Sequence, residues 1–78
     1  MPHISVKLYP GRSEQQKARL AQQIVEDVVS LLACSEASVS VAIKEIQPED
    51  WAEQVYKPEI LNNPEQLYKQ PSYDPFKS

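Results

Sequence analysis

The sequence predicts an α/β (α+β) protomer of β-α-β type. It has two parallel strands, one long helix and a short helical C-terminal segment, and oligomerisation completes its sheet. Three observations carry this prediction. Apolar residues alternate in two short stretches near the start and the middle of the chain, and between them they recur every three or four residues. At 78 residues the chain is also too short to bury a large core unaided.

In the first stretch, residues 1–9, Ile4, Val6 and Leu8 alternate with His3, Ser5, Lys7 and Tyr9, the pattern of a half-buried strand. Pro10 lacks a ladder donor and Gly11, the only glycine, tolerates turn geometry, so the strand stops there. Ser13 and Gln16 have the spacing of a capping box. A helix is therefore predicted over residues 15–33, with Ala18, Ala21, Ile24, Val25, Val28, Leu31 and Leu32 on its apolar face. After the pattern lapses at residues 34–38, Val39, Val41 and Ile43 alternate with Ser38, Ser40, Ala42 and Lys44. Short joints around a single helix require the two strands to be parallel. A two-stranded sheet covered on one face is incomplete, and pairing with another subunit would complete it.

Beyond the second strand, Pro48 with Glu49 and Asp50 predicts a turn leading into a short helix, after which Trp51, Val55, and Ile60 with Leu61 can form a short apolar stripe. Pro64, Pro71 and Pro75 mark an irregular tail, with one or two helical turns expected at residues 65–69. Tyr68, Tyr73 and Phe76 read either as pocket lining or, the favoured reading, as residues that pin the tail over the open sheet face. The chain reads as one domain over residues 1–78, with the β-α-β core at 2–46 and the helical segment and tail at 47–78.

Composition narrows the function. Cys34 is the only cysteine, so no disulfide staples the chain, and with His3 it cannot form a structural zinc cluster of the usual type. A net charge of −3 and no Lys/Arg run argue against a nucleic-acid partner. No stretch has the length of a membrane span and the start lacks the order of a signal peptide, so a cytoplasmic location is expected.

The candidates for chemistry are Pro2, Arg12 and Trp51. Met1 before a small residue is a usual substrate for excision, and removal would convert the Pro2 nitrogen from an amide into a secondary amine. An α-amino group ordinarily titrates near pH ~8, and desolvation or a nearby cation lowers that value, so such a group can shuttle protons at neutral pH. Met-Pro is also a common start with no chemical role. Arg12 and Trp51, read alone, are more readily a surface cation and a core aromatic than site residues. Within one subunit, Pro2 and Arg12 fall at opposite ends of the first strand, about 20 Å or more apart at ~3.3 Å per residue. A shared site then requires another subunit or a turn that folds back.

Pro2 after Met1, the alternating strand, Gly11-Arg12-Ser13 followed by Glu14, Gln15 and Lys17, the long helix, the second Ser-Val strand and Trp51 resemble the 4-oxalocrotonate tautomerase family. His3-Ile4, Gln15-Gln16-Lys17-Ala18, Ser40-Val41-Ala42 and Ile46-Gln47-Pro48-Glu49 are similar to a small bacterial phenylpyruvate-type subgroup with a longer C-terminal segment. The resemblance implies an isomerase of enol and keto 2-oxo acids, an aryl pyruvate such as phenylpyruvate being the favoured substrate class. Pro2 would be the general base and then the general acid, with no metal or organic cofactor. It also implies that Arg12 binds a substrate carboxylate from a neighbouring subunit and that Trp51 makes the pocket apolar.

Ser40 departs from the founding pattern, which has a second arginine there. A neutral hydroxyl can bond a substrate oxygen but cannot stabilise an enolate as a cation would, which disfavours dicarboxylate substrates. The hexamer-closing glycine-rich hairpin is absent too, so a homodimer is favoured over a hexamer. Two alternatives stay open, a Pro2-dependent hydratase or dehalogenase of unsaturated acids, and a dimeric interaction module without catalysis. His3 reads more readily as a strand residue at a subunit contact than as an acid-base group, and Cys34 reads as structural.

Overall fold

The computed structural model describes residues 1–77 and contains two compact units, Met1–Glu45 and Ile46–Ser78, the second described to residue 77. The first unit is the β-α-β motif. Strand β1 (His3–Leu8) leads through a Pro-Gly connection to helix α1 (Glu14–Leu32), then through a 3₁₀ turn (Glu36–Ser38) to strand β2 (Ser40–Glu45). The strands are parallel and in register from His3 opposite Ser40 to Leu8 opposite Glu45. Ile4, Val6, Val41 and Ile43 are half-buried, whereas His3, Ser5, Ser40, Ala42 and Lys44 are exposed, as period-two alternation requires of a sheet with one covered face.

Helix α1 starts where its cap dictates. The Gln16 N–H donates to Ser13 Oγ at 3.1 Å and the Ser13 N–H donates to Gln16 Oε1 at 2.9 Å, satisfying two otherwise orphaned amides. Gly11 precedes the cap at φ 128°, and an added Cβ would meet nothing within 4 Å, so backbone angle rather than space favours glycine there. Helix α1 packs on β2 and presents Ala21, Ile24, Val25, Val28 and Val29 half-buried, yet none of its residues is fully buried.

The helix closes on Ala33, which has left-handed angles of φ 55° and ψ 48°. An L-residue carries a steric cost there that glycine avoids, partly offset by the greater freedom glycine gives the unfolded chain. Ala33→Gly is therefore expected to stabilise the fold by about 0.5–1 kcal/mol, seen as a higher denaturant midpoint with unchanged m-value.

In the second unit Pro48 takes the first position of helix α2 (Pro48–Trp51), after Gln47 at the N-cap position, which makes no side-chain capping bond, and Glu49 and Asp50 lie at its positive end. The expected short helix is longer than the sequence indicated, because α2 runs on as a π-helix (Ala52–Leu61) that contains Pro58. Its wider turn is visible in the Asn62 N–H donating to the Lys57 carbonyl five residues back, at 3.0 Å. In an α-helix the Pro58 ring would clash with the carbonyl four residues before it, and the wider winding relieves that clash. Ile46, Val55 and Tyr56, at 5%, 5% and 7% exposure, are the buried apolar residues among those described.

The helical turns expected at residues 65–69 do not form. A turn closed by the Gln66 N–H on the Asn63 carbonyl, at 3.3 Å, occupies 64–66, followed by a bend at 68–69. Pro64 suits the second position of such a turn, and Pro71 disfavours helical angles at the residue before it, so little room is left between them for a helix.

Candidate functional site

Pro2 immediately precedes β1 and is partly exposed, while Met1 is 99% exposed and fills no pocket within the protomer. With Met1 in place the Pro2 nitrogen is an amide. The Pro2 carbonyl accepts the Ser40 N–H at 3.1 Å, which fixes the beginning of β1 beside the beginning of β2. The 3₁₀ turn sets this level, its return bond running from the Val39 N–H to the Glu36 carbonyl at 3.1 Å.

Ser40 lies opposite His3 in the register, on the open side of the sheet, and its Oγ is 2.7 Å from His3 Nδ1. Pro2, His3 and Ser40 thus gather at one end of the sheet. The sequence named Pro2 and Ser40 separately and treated His3 mainly as a strand residue. The missing step was the register. Both alternating stretches open on a polar residue, but the second opens on Ser38, two residues before β2 begins, so aligning the openings would have paired His3 with Ser38 rather than Ser40.

Arg12 is exposed on the connection between β1 and α1, at the carboxyl end of β1, with the whole strand between it and Pro2. The protomer does not bring the two together. A second cation near that end, Lys17, is already committed, at 2.8 Å from Glu14 and 3.2 Å from Glu45. The hydrogen bonds that its ammonium donates to Glu14 and then Glu45 raise its pKa, and it stays charged as it closes a groove over Ala18, Ala21, Val41 and Ile43.

Trp51 belongs to the second unit, where its indole N–H donates to Tyr73 Oη at 2.8 Å. Tyr73 and Phe76 pack on Tyr56, with ring centroids 5.5 Å and 5.9 Å away at 49° and 65°, tilted and edge-on arrangements that suit aromatic quadrupoles. Burial, and secondarily Asp74 and Tyr73, push the Tyr56 hydroxyl pKa above its ordinary value. The tail therefore holds the Trp51 ring in orientation. Nothing in local spacing joins positions 51 and 73, and only an excess of aromatics in a proline-rich tail hinted at it. Cys34 is half-buried with Sγ 3.8 Å from the Val28 carbonyl, a packing position at the helix end.

Comparison with known proteins extends this picture. The family described as “Tautomerase enzyme” matches residues 2–56. Tautomerase PptA of Cronobacter sakazakii is 41% identical over 75 residues, covering 95% of this chain and 99% of that protein. A probable tautomerase of Xylella fastidiosa is 40% identical over 73 residues, covering 94% and 89%. Among solved structures, a heterohexamer 4-oxalocrotonate tautomerase from Chloroflexus aurantiacus superposes with a TM-score of 0.63 at 29% identity, over 65% of this chain and 82% of that one.

The β-α-β unit and these matches define a small enzyme of the isomerase class. The chain belongs to the tautomerase family. The sequence resemblance is thereby borne out, as are the fold class and the enzymatic character it implied.

Proposed function

We propose that this tautomerase interconverts the enol and keto forms of small 2-oxo acids, aryl pyruvates such as phenylpyruvate foremost, through the Pro2 amine freed when Met1 is removed. The placement of Pro2 carries the reading. It opens β1 beside Ser40, with a fully exposed Met1 accessible to an aminopeptidase. In the enol-to-keto direction the Pro2 ammonium delivers a proton to C3 as the C2 oxygen loses one, and in the reverse direction the free amine takes the C3 proton. The chemistry needs no metal or organic cofactor.

The remaining roles follow from residue chemistry. Ser40 offers its hydroxyl to the C2 oxygen. Arg12, distant within the protomer, would arrive from a neighbouring subunit, its planar guanidinium suited to the substrate carboxylate. Trp51, oriented by Tyr73, would supply an apolar wall that favours aryl groups and the neutral form of the amine. On this reading the two compact units work as one tautomerase domain, and the protein is a cytoplasmic homodimer rather than a hexamer. The dimer is favoured because, among the described residues, a helical segment stands where a hexamer-closing hairpin would be. Among the described residues no helix is long and apolar enough to cross a membrane.

The test uses Met1-free protein, verified by mass spectrometry, and pairs of enol acids that differ only in a second carboxylate. Because Ser40 is neutral, kcat/KM is expected to favour the monocarboxylate. Equal or better turnover of the dicarboxylates would reject the substrate assignment. An amine pKa for Pro2, titrated by NMR, well below that of ordinary proline amines separates an enzyme with this base from a non-catalytic module.

A further inference from the structure

Tautomerisation moves a proton at two places, one on carbon and one on oxygen. The Pro2 amine serves the carbon, and nothing assigned so far receives the proton from the oxygen. Ser40 lies beside Pro2 through the 3.1 Å bond of its N–H to the Pro2 carbonyl, and its hydroxyl is 2.7 Å from His3 Nδ1. A serine hydroxyl alone is a poor proton acceptor near neutral pH. Coupled to an imidazole it can take one proton while passing on its own.

From this geometry we propose that His3 is a positioning residue that acts through Ser40, and that the pair is the proton relay for the oxygen of the substrate. The inference rests on the Pro2 reading above. With His3 protonated on Nε2, the Ser40 O–H donates to Nδ1 and the Ser40 oxygen turns a lone pair to the enol hydroxyl. As the Pro2 ammonium gives its proton to C3, the C2–O–H bond breaks and the carbonyl forms. The enol proton passes to Ser40 Oγ while the original hydroxyl proton of Ser40 passes to Nδ1. One proton has left Pro2 and one has reached His3, and exchange through water returns the pair to its starting state. Run backwards, the same steps give the enol. No oxidant, reductant or further reactant is required.

The arrangement also accounts for two neutral-capable side chains where a fixed cation would otherwise polarise the carbonyl. A cation can stabilise negative charge on the oxygen, whereas a hydroxyl backed by an imidazole can remove the proton from an enol. In the register the next positions on that face are Ser5 and Ala42, which do not titrate, and the pair Lys7 and Lys44 follows two positions farther along the two strands.

The experiment compares His3→Asn, His3→Leu, Ser40→Ala and the His3→Asn/Ser40→Ala double variant, all Met1-free, with phenylpyruvate enol as substrate. Asparagine can keep a hydrogen bond near the Nδ1 position but cannot accept the proton. Each single variant is expected to lose roughly 10²-fold in kcat with KM changed less than about 3-fold, and the double variant to be no slower than Ser40→Ala. Thermal unfolding and the NMR titration of the Pro2 amine should match the parent, which a purely structural role for His3 would not allow. Full kcat in His3→Asn, or losses that multiply in the double variant, would overturn the relay. Pro2→Ala run alongside separates the two readings. Turnover that depends on Pro2 but survives His3→Asn defeats the relay alone, turnover indifferent to Pro2 defeats the parent reading, and a parent protein inert toward the enol defeats both.

Discussion

Met1-free Pro2→Ala protein is expected to lose about 10²- to 10⁴-fold in kcat/KM for enol 2-oxo acids, with most of the loss in kcat. Alanine after Met1 also permits excision, so both proteins present a free amine. What alanine lacks is the secondary amine and the ring that fixes the direction of its lone pair. The fold should be indifferent to the change. Residue 2 contributes to the sheet through its carbonyl, which accepts the Ser40 N–H, and alanine retains that acceptor. A loss of activity at unchanged thermal stability therefore reports chemistry rather than unfolding. Parent protein that retains Met1 forms the companion control, since its Pro2 nitrogen is an acylated amide without a basic lone pair, and its rate should be as low as that of the variant. Undiminished turnover in Pro2→Ala would remove Pro2 as the principal base.

The ease with which the sequence yielded different parts of this protein follows from the range of the interactions involved. Helix α1 was legible because its signals are local. The capping box lies within four residues, and the apolar stripe shows its own period. The strands were legible for the same reason, apart from a residue or two at their ends. The pairing of His3 with Ser40 spans 37 positions and depends on a register that no local pattern states. The π-helix was hidden by Pro58, which in α geometry reads as a stop and here sits within a wider turn. The bond from Trp51 to Tyr73 spans 22 positions across a tail whose prolines advertise irregularity and say nothing of where it docks. Of the candidate site residues, Pro2 was singled out by the family resemblance rather than by its place after Met1 alone, whereas the partner of Ser40 needed three dimensions.

Ile46→Ala is expected to lower folding stability by about 2–5 kcal/mol, the usual range for truncating a buried isoleucine. In a domain of this size each kcal/mol moves Tm by roughly 4–8 °C, so the variant should melt at least about 8 °C below the parent. The effect is large because so little is buried. Ile46, Val55 and Tyr56 are the buried apolar residues among those described, and α1 contributes none. Leu31 makes the informative contrast at 81% exposure in the protomer. If the protomer stood alone, Leu31→Ala would fall within about 0.5 kcal/mol of the parent. In an assembly that covers the end of α1, the same change would cost far more and Tm would rise with protein concentration. Scanning calorimetry of both variants at two concentrations separates burial within the chain from burial between chains. A wild-type Tm for Ile46→Ala would contradict its place in the core, and a concentration-dependent loss for Leu31→Ala would identify the end of α1 as a surface that the assembly covers.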